Sequence, residues 1–281
     1  MTPRDEPLRD ARVVVDREPQ LPSLVKSAAR VLQIFDFFDE VQREAKVQEI
    51  ADQLEFPQSS TSVLLRSLVE MGFLDHDPQA RTFLPSPRVA LLGHWLGQGP
   101  MRDGTIVRML EEIAAATGES VVLATRNGLY AQDVRVIQGR GAQPVALPQG
   151  LRRLVVWSAT GLALLRDEPD DLVQALCRRA NAEAEDGAAV DPRAVAAHLG
   201  QLRREGYVFS RGLVTPGLGS IAMPLPAGLD RGARLFAIAV TGRLAAIAAR
   251  ERELVSAMRR AIARHLSAPA LLTNHMDDGG A

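Results

Sequence analysis

The chain has 281 residues, 46% of them hydrophobic and 24% charged, with a formal net charge of −1. That length suits two domains of ordinary size, each able to bury a core. A single cysteine, Cys177, excludes a disulfide framework and a cysteine-built zinc site, and no run of 18 apolar residues offers a membrane span.

In chain order, residues 1–22 are charged and proline-containing rather than signal-like, which predicts a flexible arm on a soluble cytoplasmic protein. Lys26 to Phe38 predicts a first helix with Ala29, Leu32, Phe35 and either Asp36 or Phe37 near one stripe. Val47 to Leu54 predicts a short second helix carrying Val47, Ile50, Ala51 and Leu54 on one side. Pro57 suits the first turn of a third. Advancing 100° per residue from Thr61 places Leu64, Leu65, Leu68 and Met71 on one face, and Ser59, Ser62, Val63, Arg66 and Glu70 on the other. Gln58, Ser59, Ser60 and Ser62 stand at the start of this helix, where a major-groove reader places its contacting side chains. Gly72 is positioned to end it. Phe73 to Asp75 and Thr82 to Leu84 predict two short strands, joined by a turn from Asp77 to Arg81. Three helices followed by a hairpin predict a winged helix-turn-helix domain over 23–88, with double-stranded DNA as its partner.

Charge complicates that expectation. From Leu24 to Gly99 seven Lys/Arg face ten Asp/Glu, a balance of −3. Phosphate contacts supply most nucleic-acid affinity, so modest binding per subunit is expected, rescued by dimerisation. The acids concentrate in the first two helices, whereas Arg66, Arg81 and Arg88 lie on or after the third.

Arg88 to Gln98 predicts a linker helix over 88–100. Val89, Leu91, Leu92, Trp95 and Leu96 make it too apolar to stand free in water. It docks on its own domain or, the preferred reading, pairs with its copy in another subunit.

From 101 to 267 helices and strands alternate. A helix is predicted over Thr105 to Thr117, stopped by Gly118. Ser120 to Thr125 and Tyr130 to Ile137 predict strands about an Asn127-Gly128 hairpin turn. Helices follow at Ser158 to Arg166, Asp170 to Ala182, and from the Asp191 cap to Glu205. Strands are expected at Tyr207 to Phe209, Ser220 to Leu225 and Arg234 to Thr241. A closing helix is expected over Ile247 to Leu266, with a flexible tail at 268–281. The fold class is α+β, an antiparallel sheet flanked by helices.

Four ordered blocks carry a resemblance. They are Phe56-Pro57-Gln58-Ser59-Ser60 running to Gly72-Phe73, Ser158 to Leu165, Arg203 to Tyr207 with Gly219 to Pro224, and Ala237 to Gly242. Together they resemble the IclR-type bacterial transcriptional regulators, along about Val25 to His265. The resemblance implies a GAF-like second domain that binds a small effector, usually an organic acid. Where such regulators often carry arginine, lysine, cysteine and serine, this chain has Val63, Leu162, Ser220 and Ala239, which implies an altered operator preference and a different effector, or none.

For the DNA-binding set the residues are Gln58, Ser59, Ser60, Ser62, Val63, Arg66 and Arg81. For the effector set they are Ser158, Thr160, Ser210, Ser220 and Thr241, hydroxyls able to hold a polar ligand among apolar walls. Arg135, Arg140, Arg152 and Arg153 offer charge for an acid, though surface solvation is the plainer role. No nucleophile-elbow, phosphate-loop or zinc-protease motif is present, so no catalytic site, metal or cofactor is expected. The sequence reads as a DNA-binding, effector-responsive dimer or tetramer. The alternative is a small-molecule-binding sensor or enzyme with a vestigial winged domain.

Overall fold

A computed structural model describes residues 25–93, 99–183, 189–230 and 234–266. The expected arm at 1–22 and tail at 268–281 lie outside those residues, as do Trp95 and Leu96 of the expected linker helix. The chain divides into two compact units, one spanning Pro19–Gly97 and the other built mainly from Gln98 onward.

The smaller unit holds α1 (Lys26–Val41), β1 (Ala45–Lys46), α2 (Val47–Gln53), α3 (Gln58–Glu70), β2 (Leu74–Asp77), β3 (Thr82–Pro85) and α4 (Pro87–Leu92). Its core is Ile34, Phe37 and Phe38 of α1, Ile50 of α2, Leu65 and Leu68 of α3, with Leu74 and Phe83 from the wing. The stripe of α1 therefore differs from the expected one, and Leu32 is 65% exposed. The Phe37 and Phe38 rings pack edge to face with centroids 5.3 Å apart, and burying both turns the helix away from Leu32. Met71 is also misassigned, at 58% exposed. Helix α3 ends before it, and the chain turn that follows brings Leu74 into the core instead.

That turn is a Schellman motif. The Gly72 N–H donates to Val69 O and the Phe73 N–H to Leu68 O, at 2.9 and 2.8 Å, with Gly72 at φ 76°. Two residues of β1 went unforeseen; they pair with β3, Ala45 opposite Phe83 and Lys46 opposite Thr82, making the wing three-stranded.

The larger unit is a six-stranded antiparallel sheet in the order β6-β5-β4-β9-β8-β7. Its strands are β4 (Ser120–Asn127), β5 (Tyr130–Ile137), β6 (Arg152–Leu154), β7 (Val208–Arg211), β8 (Leu218–Pro224) and β9 (Phe236–Arg243). Its helices are α5 (Thr105–Thr117), α6 (Ala159–Leu164), α7 (Asp170–Glu183), α8 (Pro192–Glu205), α9 (Leu244–Ala249) and α10 (Glu251–Leu266). The single closing helix expected from 247 is thus two, parted at Arg250.

Alternation along the strands builds two cores. Val121, Leu123, Ile238 and Val240 join Met109, Leu110, Leu254 and Met258 of α5 and α10. On the opposite face Ala222, Ala237 and Ala239 meet Leu162, Leu199 and Leu202 of α6 and α8. Those alanines let α6 lie close to the sheet, and Gly161 lets it fold back on the 155–157 turn that precedes it: a Cβ there would stand 2.1 Å from Val155 O. The β4–β5 turn sits one residue beyond the expected Asn127-Gly128, since Asn127 pairs with Tyr130 and Gly128 takes φ 61°. Glycine at the first central position is what a type II′ hairpin requires.

Candidate DNA-reading surface and ligand cavity

Helix α3 begins where Pro57 ends an extended approach, and its first turn is held by its own hydroxyls. Ser60 Oγ and Thr61 Oγ1 both donate to Pro57 O, at 2.9 and 3.1 Å. Thr61 is buried by this bond, so the helix is anchored through one residue while its neighbours point away. Gln58 and Ser59 are exposed, Ser60 and Ser62 half-buried, and Val63 is 53% exposed. Arg66 is exposed too, its Nε donating to Ser62 O at 3.3 Å. Six of the seven predicted DNA-binding residues therefore share one helix and rim its solvent side. The seventh, Arg81, stands exposed in the wing turn at φ 57°.

The wing turn is fixed by Asp77, whose Oδ1 accepts from Gln79 N and Ala80 N at 2.7 and 3.0 Å. These two N–H groups hold its carboxyl below the usual aspartate range. Arg88 has a different job from the one its position suggested. Its guanidinium stacks 4.6 Å over Phe73 and Nη1 donates to Met71 O at 3.0 Å, closing the C-terminal end of α3. Helix α4 begins with Pro87 in its first turn; Leu91 and Leu92 are 64% and 54% exposed.

In the larger unit Ser158, Thr160, Ser210, Ser220 and Thr241, the five predicted effector residues, line one cavity. Its volume is ≈ 510 Å³ counting the open space at its mouth. Val122, Leu147, Leu218 and Ala239 give it apolar wall, and Leu213, Val214 and Thr215 come from the β7–β8 loop. Some hydroxyls also serve the fold. Ser158 Oγ accepts from Gly161 N at 3.1 Å as the N-cap of α6, and Ser220 Oγ lies 2.8 Å from Thr241 Oγ1. The Trp157 indole N–H donates to Leu213 O, tying the loop to the base of α6. Opposite, Gln138 brackets Leu147 through both amide atoms and Gln149 does the same to Val136. Side-chain amides thus stand in for a strand ladder and hold the 138–151 segment along β5.

Of the charged cavity residues, sequence reasoning missed Asp133 outright and gave Arg153 no more weight than three other arginines. They are the charged side chains among the described lining residues. Asp133 Oδ2 accepts from Arg153 Nη1 at 2.7 Å; the Asp133 side chain has no exposure and that of Arg153 15%. Asp133 Oδ1 has no hydrogen-bond partner among the described residues. Burial pushes the Asp133 carboxyl up from its ordinary range, with Arg153 pulling the other way. The cause is a β-bulge. Val122 pairs with Val136 and Leu123 with Arg135, but Ala124 pairs with Asp133, so Val134 is skipped. The skip keeps Asp133 on the cavity face with Val136 and sends Arg135 to the other. Strict alternation would have hidden this. Of the other arginines, Arg152 lies 4.2 Å over the Tyr130 ring.

Cys177 is buried, and burial pushes its thiol up, away from nucleophilic use. Among the described residues no group of three His, Cys, Asp or Glu side chains is placed to hold a metal, and no helix is long and apolar enough to cross a membrane.

An open polar helix beside a wing, joined in sequence to a hydroxyl-lined cavity in an α+β unit, fits a transcriptional regulator that takes a small ligand. The comparisons give the family. The IclR helix-turn-helix domain model matches residues 27–78 and the bacterial transcriptional regulator IclR C-terminal model matches 105–268. The chain belongs to the IclR family of bacterial transcriptional regulators. It is 26% identical over 209 residues to the Pca regulon regulatory protein of Pseudomonas putida, covering 73% of this chain and 70% of that one. Its fold matches the crystal structure of an IclR regulator from Alicyclobacillus acidocaldarius with TM-score 0.54 at 20% identity, covering 86% and 97% of the two chains. An IclR homologue from Microbacterium hydrocarbonoxydans complexed with 4-hydroxybenzoate matches with TM-score 0.52 at 17% identity, covering 88% and 98%.

Proposed function

We propose that the winged unit, about residues 23–88, binds operator DNA through Gln58, Ser59, Ser60, Ser62, Val63 and Arg66 of α3 and Arg81 of the wing. The observation that carries this is the solvent-open polar side of α3, anchored from behind by Thr61, Leu65 and Leu68. Such a helix offers hydroxyl and guanidinium donors to base edges and phosphates, and Val63 an apolar contact for a thymine methyl.

The protein acts as a homodimer or homotetramer in the cytoplasm, with residues 88–100 joining subunits. The exposed Leu91 and Leu92 support that role, because burying them against a partner removes apolar surface from water. Two-fold pairing presents two reading helices to half-sites a helical turn apart, or a multiple of that.

The unit at about 101–267 binds a small metabolite in the cavity, an organic acid in class. Arg153 supplies the guanidinium such an acid needs, and an IclR homologue takes 4-hydroxybenzoate. A ligand favouring one dimer geometry by about 1–3 kcal/mol changes operator affinity roughly 5–150-fold. Sequencing genomic fragments retained by the purified protein tests the proposal. Enrichment of a common site near its own gene is expected; random retention refutes it.

A further inference from the structure

We propose that an acid entering the cavity takes over the Arg153 guanidinium from Asp133, and that Asp133 picks up a proton from solvent as it does so. This rests on the reading of the cavity as an effector site for an organic acid, and it makes sensing pH-dependent.

The argument starts from charge. Asp133 and Arg153 line the cavity as a pair, so their formal charges cancel before any ligand arrives. The surroundings of Asp133 offer little else to balance a charge. On β4 it pairs with Ala124, and the rest of the cavity wall offers uncharged hydroxyls: Thr160 and Ser158 from α6 and its cap, and Ser210, Ser220 and Thr241 from β7, β8 and β9. On β5 the bulge turns Arg135 to the other face, and on β6 Arg152 lies over Tyr130, which leaves Arg153 as the cation in contact.

A second carboxylate in this space would leave two negative groups sharing one guanidinium. A second carboxylate on one site disfavours ionisation of the first, and a half-unpaired buried charge is costly. Protonating Asp133 removes the conflict: the ligand stays ionised on Arg153, and Asp133 becomes neutral. Neutral Asp133 also gains an O–H that can donate to the incoming carboxylate. Its position prepares the step, since Oδ1 already lacks a donor and burial already favours the protonated form. Because binding takes up a proton, affinity falls as pH rises, by up to about tenfold per pH unit for one full proton.

Isothermal titration calorimetry of the full chain decides it. Acetate, propionate, pyruvate and benzoate are titrated beside acetamide, propionamide, pyruvamide and benzamide, in phosphate and in Tris at one pH. The two buffers differ in ionisation enthalpy, so the difference in heat counts protons. At least one acid is expected to bind with uptake approaching one proton, its amide with none, and Asp133→Asn is expected to bind the acid with no uptake. An acid that binds wild-type protein without uptake overturns the proposal, as does undiminished uptake in Asp133→Asn. The wild-type result needs no variant, and Arg153→Gln adds a second arm, in which acid binding is lost while amide binding survives. If amides bind and acids do not, the exchange is wrong and the cavity remains a ligand site. If none of the eight binds, the organic-acid reading falls and takes the exchange with it.

Discussion

Both units of this protein set short hydroxyl side chains at the start of a helix, and they use them in opposite directions. In the winged unit Ser59 and Gln58 lie on the open side of α3, because its other side alone carries Thr61, Leu65 and Leu68. In the larger unit all six residues of α6 are buried, so Ser158 and Thr160 turn into the interior and help enclose a cavity. The lesson is that residue type marks a polar site but packing decides its partner. A helix buried on one side leaves its hydroxyls facing solvent, and a helix buried all round turns them toward an interior cavity.

The comparison breaks first at the buried side of α3. Leu65→Ala is expected to destabilise the winged unit by about 2–5 kcal/mol, followed by urea unfolding. Next comes the packing of α6 on the 155–157 turn before it. Gly161→Ala places a Cβ against the Val155 carbonyl and is expected to destabilise the larger unit by about 1–3 kcal/mol. Unchanged stability would mean that α6 shifts off the Val155 carbonyl at no cost. On the open side of α3, Arg66→Ala should leave stability alone and weaken specific operator binding by about 1–3 kcal/mol, read by fluorescence anisotropy at fixed salt. Smallest is Met71→Ala, within about 0.5 kcal/mol, since Met71 is exposed at the helix end.

The buried Asp133 sharpens the comparison through pH. Its carboxyl is raised in the fold relative to an unfolded aspartate. Its contribution to stability is therefore fully present below the unfolded value, about 4, and is lost as pH rises through the higher folded value. The stability of wild type relative to Asp133→Asn should shrink as pH climbs across that window. Denaturant unfolding at several pH values checks it; a difference that grows with pH would contradict the burial argument.

Much of this was legible because it is local. The Schellman turn at Gly72, the Asp191 cap with Pro192, and the helix Thr105–Thr117 all follow from neighbours within one or two turns. Four of the five cavity hydroxyls, all but Ser210, were named because the signature blocks that contain them are recognisable. What stayed hidden depends on distant partners. Strands β1 and β6 have two and three residues, and exist only because β3 and β5 receive them. The Asp133–Arg153 pair was hidden for a sharper reason. A single skipped residue at Val134 reverses the alternation of β5, and nothing in YAQDVRVI announces it.

The reading surface is the centre of the account, and salt-dependent binding to the native upstream DNA tests it most directly. Wild-type protein should bind that DNA far more tightly than a scrambled duplex, losing affinity steeply as salt rises. A variant joining Ser59→Ala, Val63→Ala and Arg66→Ala should bind both duplexes equally weakly while unfolding at the wild-type denaturant midpoint. A triple variant that keeps the wild-type preference for the native site would contradict the assignment of the α3 face.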